Sequence, residues 1–392
     1  MSEQPNDSIR SLSGTDLSTA AIPKECREDA CPSLTFDCLL PKERIAALAM
    51  TRAEIERFFV EQLEEPAFRA RQLFRWLHFR LARSAQEMTE LSKPLRARLD
   101  SIFELEACRL AEERVAEDGT IKLAFALHDD AVVESVIIPT PERVTLCISS
   151  QVGCAMGCLF CRTARMGLGR HLHAGEIVEQ VARARLRWAQ TSEGARINNI
   201  VFMGMGEPLH NVDAVIKAIE ILIDPLGMDW SRRRITVSTA GYLPGLRKLA
   251  ARSDLGVKLA VSLNACNDPL RSRLMPINRA YPLEALLNEL RRFPIRPRER
   301  ITFEYVLLKG LNDSNEDAAE LARLLRAIPA KVNLIPFNPF DGCGFERADD
   351  ERVRSFQAEL LSRNVATSIR ESRGQDASAA CGQLGELGKL AP

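Results

Sequence analysis

Three cysteines fall within eight positions in "VGCAMGCLFCRT": Cys154, Cys158 and Cys161, spaced C-x3-C-x2-C. At this density they read as metal ligands rather than as scattered thiols. Two chemistries suit them. A zinc ion could take three thiolates and keep a water in its fourth position. A [4Fe-4S] cluster normally takes four cysteines, one per iron, so three leave one iron open to a ligand from outside the chain. The compact loop favours the cluster, because zinc sites more often show paired C-x2-C hooks separated by a longer insert. After the next apolar run comes "VFMGMGEPLHN". There Gly204 and Gly206 allow a ligand close to the backbone, and Glu207, held extended by Pro208, offers a carboxylate.

Such groups need a scaffold that gathers them. Beyond about residue 143, apolar β-branched runs such as "RVTLCISS", "INNIVFMG", "RRITVSTAG", "GVKLAVSLN", "RITFEYVLL" and "KVNLIPFN" alternate with helical stretches, and a last run follows at "VATSIRES". Strand and helix in alternation predict a parallel α/β sheet. Six such units are too few to close an eight-fold barrel, so the expectation is a partial (β/α)6 barrel. Cys154, Glu207, Ser238, Asn264 and Asn338 all fall at or just past the C-terminal end of an expected strand. In barrel-type folds that rim is where catalytic groups collect.

Ahead of the barrel, residues 1–34 are polar and aperiodic and read as a disordered tail. Cys26 and Cys31 lie within it and Cys38 just beyond, with no second motif to partner them. Residues 35–112 read as a small helical accessory domain. Its stretch "PAFRARQLFRWLHFRLAR" interleaves Arg69, Arg71, Arg75, Arg80 and Arg83 with apolar positions at helical spacing. That basic face either contacts RNA or is solvated. Over 113–143 the period switches to two in "EDGTIKLAFAL" and "AVVESVIIPTP", which predicts a β-hairpin linker. The barrel then occupies 144–375, and 376–392 form a C-terminal segment.

Bulk properties narrow the classes. At 392 residues the chain suits about two to three domains. Lys plus Arg and Asp plus Glu both number 53, so net charge neither suggests nor excludes a nucleic-acid partner, and any basic surface must be local. No apolar run is long enough to span a membrane, and the N-terminus lacks the basic-then-apolar order of a signal peptide. The expectation is a cytoplasmic protein whose eleven cysteines are thiols or ligands rather than disulfides.

The motifs carry a resemblance. With a C-x3-C-x2-C loop after its first strand and a G-x-G-E-P turn after the following one, the chain resembles the radical S-adenosylmethionine (SAM) superfamily. More closely, "LCISSQVGCAMGCLFC", "FMGMGEPL", "RRRITVSTAG", "PINRAYPLEALL", "NLIPFNPF" and "RGQDASAACGQL" resemble the dual-specificity adenine-C2 RNA methyltransferases, over about residues 50 to 388. Asn264 stands where many relatives have histidine, Arg162 where a small residue usually follows, and Gln375 where aspartate is common.

The resemblance implies that Cys154, Cys158 and Cys161 hold one [4Fe-4S] cluster whose open iron SAM chelates. It places Gly206 and Glu207 at the methionyl ammonium, with Ser238, Ser262, Leu263, Asn264 and Asn338 as further SAM contacts. It implies that Cys381 takes a methyl group from one SAM, and that a second SAM yields a 5′-deoxyadenosyl radical that activates this methyl for addition to adenine C2. Glu134 removes the C2 proton, and Cys147 forms a transient disulfide with Cys381 as the product leaves. Two SAM molecules are used per turnover. The implied partners are 23S ribosomal RNA, transfer RNA and an electron donor such as flavodoxin or ferredoxin, and the implied state is a monomer without a membrane. From the residues alone, Cys147 would read as a core thiol and Glu134 as a solvent-facing strand residue. Extruding the target base costs a few kcal/mol, less in an unpaired loop. Arg232 to Arg234 and the arginines of the helical domain are the expected phosphate contacts.

Two other readings stay open on sequence. An adenine-C8 methyltransferase would use the same cysteines with the base posed differently. A non-catalytic RNA-binding protein with a structural zinc site would leave Cys147 and Cys381 without a role.

Overall fold

The computed structural model describes residues 44–191 and 196–385. The expectations for the tail and for Cys26, Cys31 and Cys38 fall outside these residues. A short parallel pair, β1 (Ile45–Ala46) and β2 (Phe103–Glu104), joins the two ends of the helical region. Between them run α1 (Arg52–Gln62), α2 (Ala67–His78) and α3 (Lys93–Ile102). Thr51 caps α1 in a reciprocal box with Glu54, satisfying two donors that the helix itself leaves free. Ile55 and Phe59 of α1 and Leu73, Phe74 and Leu77 of α2 are fully buried. Their three- and four-residue spacing puts them on one face of each helix.

Three antiparallel strands follow: β3 (Cys108–Val115), β4 (Ile121–Leu127) and β5 (Val132–Pro139). The hairpin expected from residue 113 is therefore a three-stranded extension, and the strand begins inside the region read as helical. A register shift between Leu110 and Glu112 interrupts the period of two that would have revealed it. β5 pairs antiparallel with β6 (Val144–Cys147), which opens the parallel part. There β9 (Ile197–Phe202), β10 (Ile235–Thr239), β11 (Lys258–Ser262), β12 (Ile301–Leu307), β13 (Ala330–Pro336) and β14 (Ala366–Ile369) continue the sheet. All ten strands form one sheet, ordered β14-β13-β12-β11-β10-β9-β6-β5-β4-β3, which ends in two free edges and so is a partial barrel. A separate small pair, β7 (Gln151–Gly153) with β8 (Leu168–His171), flanks the cysteine loop and the short α4 (Arg162–Arg165).

The crossovers run through α5 (Ala174–Thr191), α6 (Val212–Ile223), α7 (Leu243–Ala251), α8 (Asp268–Leu274), α9 (Leu283–Arg292), α10 (Asn315–Leu325) and α11 (Asp350–Ser362). Phe303, Tyr305 and Leu307 of β12 are fully buried, and Tyr305 packs its ring 5.3 Å from Phe356 of α11. Strand alternation therefore turns Thr302 and Glu304 to the concave side. The helical region docks on α5, where Arg83 Nε donates to the buried Glu179 carboxylate at 2.8 Å. Among the described residues no helix is long and apolar enough to cross a membrane.

Candidate active site

The cysteine loop hangs between β7 and α4. Gly153 enters it at φ +72°, where a Cβ would stand 1.9 Å from the Gly167 carbonyl oxygen. That same oxygen accepts the Cys154 N–H at 2.7 Å. Only glycine fits, and the loop is pinned at its first cysteine. Leu159 N–H donates to the Leu274 carbonyl at 3.0 Å, tying the loop to the end of α8.

Cys154, Cys158 and Cys161 carry free thiols. Burial raises all three, and at Cys154 and Cys158 the neighbouring cysteine charges raise them further. Three crowded thiolates need a cation to offset their repulsion. Among the described residues, the one trio of potential ligand atoms lying within 4.8 Å of one another is His128, His173 and Glu176. The three sulfurs therefore do not all lie within 4.8 Å of one another. His128, His173 and Glu176 are themselves tied up, because Arg170 forks onto Glu176 at 2.8 and 2.9 Å.

Beyond β9 the chain turns through Gly204, Gly206 and Glu207. Gly206 has φ +97°, and a Cβ there would meet Gln151 Cβ at 2.5 Å. Glu207 is buried, accepting the Ala240 N–H at 2.7 Å and the Leu209 N–H at 3.2 Å. Burial lifts its carboxyl to about 7, opposed by these N–H donors and by Thr239. Ser238 lies within β10, its hydroxyl donating to the Phe202 carbonyl. Ser262 ends β11, with Leu263 and Asn264 just past it. Asn264 spends its side-chain oxygen on the Val306 N–H at 2.8 Å. Asn338 follows β13, and Gln375 Nε2 donates to its Oδ1 at 3.0 Å while its own Nδ2 donates to the Cys381 carbonyl at 3.1 Å.

Cys147 and Cys381 line one cavity, together with Asn338, Arg370, Met203 and Ile138. Burial pushes the Cys147 thiol up to about 12, and the Arg370 guanidinium pulls the other way. At Cys381 crowding also raises the thiol and Arg370 again opposes it, but this residue reaches solvent, which weakens the first effect. Glu134 is not among the residues lining this cavity. It is buried, 3.2 Å from Lys122 Nζ, and accepts the Gly385 N–H at 2.8 Å.

Sequence comparison resolves what this constellation belongs to. Residues 148–322 match the radical SAM superfamily, and 46–105 match the ribosomal RNA large subunit methyltransferase N-terminal domain. The dual-specificity RNA methyltransferase RlmN of Syntrophobacter fumaroxidans is 48% identical over 87% of this chain and 98% of its own. RlmN of an Anaeromyxobacter species is 50% identical over 89% of this chain and 92% of its own. The chain belongs to the RlmN family. A radical SAM methyltransferase from Sphaerobacter thermophilus has the same fold, with a TM-score of 0.82 and 46% identity over 86% of this chain and 98% of that one.

As an RlmN-type radical SAM enzyme it uses a [4Fe-4S] cluster and SAM, and three free thiols on one loop fit that group. The zinc reading gives way to the family assignment. Arg232–Arg234 form a turn immediately before β10, at the N-terminal ends of the strands and opposite the cysteine loop. Arg232 Nη1 donates to the Asp254 carbonyl at 2.6 Å and Arg234 Nη1 to Asn199 at 3.3 Å. They do not face the catalytic rim.

Sequence reasoning missed three residues of the site. Arg271 is fully buried behind the rim, Arg370 lines the cavity of the two thiols, and Lys122 pairs with Glu134. Arg271 lies in "DPLRSRL", which reads as an exposed helix turn, and only long-range packing reveals it.

Proposed function

We propose that this enzyme methylates C2 of one adenine in 23S ribosomal RNA, and of the adenine 3′ to the anticodon in some transfer RNAs, through a methylated Cys381. The reading is supported above all by one observation: Cys147 and Cys381, 234 positions apart in the chain, line the same cavity. When bound, the cluster and SAM supply a methyl group and, after one-electron cleavage of a second SAM, a carbon-centred radical.

The chain's own residues do the rest. Cys154, Cys158 and Cys161 hold the cluster. Gly206 leaves room for the amino-acid end of SAM, and Glu207 meets its ammonium, which would hold the carboxyl ionised. Ser238, Ser262, Leu263, Asn264 and Asn338 frame the remainder of that ligand. Cys381 accepts the methyl group and carries it to the base. Glu134 takes the C2 proton once Gly385 has released its carboxylate, and Cys147 then forms a disulfide with Cys381 as the product leaves. A low-potential carrier such as flavodoxin or ferredoxin delivers the electron, and the enzyme acts as a cytoplasmic monomer. The exposed face of α2 holds the RNA.

Cys147→Ala should accumulate a covalent enzyme–RNA species, and Cys381→Ala should form none and transfer no methyl group. Methylation by the Cys381→Ala protein would sink the scheme. Nucleoside mass spectrometry of RNA from a host with and without the gene should show 2-methyladenosine, and 8-methyladenosine in its place would transfer the reading to C8.

A further inference from the structure

Arg271 is the largest fully buried side chain among the described residues. Its guanidinium donates to four oxygens: Leu263 O at 3.0 Å, Ala240 O at 2.8 Å, Ser262 O at 3.1 Å and Asn278 Oδ1 at 2.8 Å. None of these is a carboxylate. The nearest acid on this path, the exposed Asp268, is one residue removed: Asn278 Nδ2 donates to its Oδ1 at 2.8 Å. A buried guanidinium without a carboxylate partner is costly, because carbonyl dipoles replace only part of its hydration.

An anion must offset that charge. Arg271 lies on α8, whose last residue, Leu274, accepts the N–H of Leu159 at 3.0 Å, so the guanidinium is built into the helix that pins the cysteine loop next to Cys158. Three thiolates make an iron–sulfur cluster net anionic, and one-electron reduction adds a further negative charge. The same residue grips the carbonyls at the ends of β10 and β11, including Ser262 and Leu263 on the SAM rim.

We propose that Arg271 is a positioning residue that fixes the β10 and β11 rim and raises the reduction potential of the cluster by placing a buried positive charge behind it. One electron passes from a low-potential flavin or iron–sulfur carrier to the cluster. The carrier is oxidised by one electron, and no bond is made or broken in that step. The fixed charge favours the more negative product of the transfer.

This rests on Cys154, Cys158 and Cys161 being the cluster ligands, and the test separates the two claims. The anaerobically reconstituted full-length enzyme is titrated potentiometrically with the reduced cluster followed by electron paramagnetic resonance. Arg271→Gln should lower the reduction equilibrium constant at least tenfold, about 59 mV for one electron. Arg271→Lys, which keeps the charge, should recover most of that shift while SAM binds more weakly, because the carbonyl grip is lost. The double exchange Asp268→Asn with Asn278→Asp moves an anion onto the guanidinium and leaves its backbone bonds in place. It should lower the potential as Arg271→Gln does, and it decides the matter if Arg271→Gln does not fold. A wild-type midpoint in Arg271→Gln or in the double exchange overturns the proposal. Wild-type protein that assembles no cluster overturns the ligand assignment instead, and this inference with it.

Discussion

Lys122 Nζ lies 3.2 Å from the Glu134 carboxylate, and each residue is only 1% exposed. They lie diagonally across neighbouring strands, Glu134 pairing with Ala124, two residues along β4 from Lys122. Lys122 also donates to the Ser378 carbonyl at 3.2 Å, so one ammonium joins the extension to the C-terminal segment that carries Cys381. Removing the cation leaves a buried carboxylate without its counter-charge. Lys122→Met should cost about 3–5 kcal/mol in urea denaturation. The double variant Lys122→Met, Glu134→Leu should regain most of that loss, since an apolar pair of similar volume replaces the ions.

His78 gives the helical region an acid limit. Burial lowers its imidazole to about 3, with Arg83 adding to the shift, and neither ring nitrogen has a hydrogen-bond partner. Below its ordinary value of 6.5 the unfolded chain binds a proton that the folded state refuses. Stability is therefore intact above pH 6.5 and falls as pH drops from there towards 3. Between pH 7 and pH 4 the loss should approach about 3 kcal/mol. His78→Leu should flatten that slope in melts followed at several pH values.

The cysteine loop depends on a left-handed glycine with no room for a side chain. Gly153→Ala should abolish iron loading, because the new Cβ displaces the Gly167 oxygen that holds Cys154. Gly344 also has positive φ, at +70°, but faces open space. Gly344→Ala should keep full iron content and cost about 1–2 kcal/mol. Iron and acid-labile sulfide per chain measure both.

The outer face of α2 alternates cations with rings. Arg75 lies 5.3 Å over Phe79 and Arg80 4.3 Å over Trp76, and Phe79 is 55% exposed. Such a surface suits phosphates and unstacked bases together. Arg75→Ala should reduce the salt dependence of RNA binding by about one counterion. Phe79→Ala should cost about 1–3 kcal/mol with little change in that slope. Filter binding at several salt concentrations separates the two, and wild-type behaviour in both would show the face to be merely solvated.

Much of this was legible in the linear order because the signals were local. Strand–helix alternation follows from side-chain period, and Cys154, Cys158 and Cys161 come from a single loop, so sequence already placed them together. Glu207 was equally visible, because Pro208 and two glycines shape its turn within a few residues. The charge run at Arg232–Arg234 was legible, but its place in the fold was not. Its residue types suit phosphate, but position relative to strand direction decides which rim a residue occupies. β3 went unread because a bulge broke its alternation.

By itself the sequence determined the parallel core, the iron–sulfur loop and the carboxylate turn, since each arises from contacts among near neighbours in the chain. Only tertiary structure brought Cys381 to the cavity of Cys147 and buried Arg271 behind the rim. Those relations join residues far apart along the polypeptide. They exist only when the sheet has curved and the C-terminal segment has returned across it.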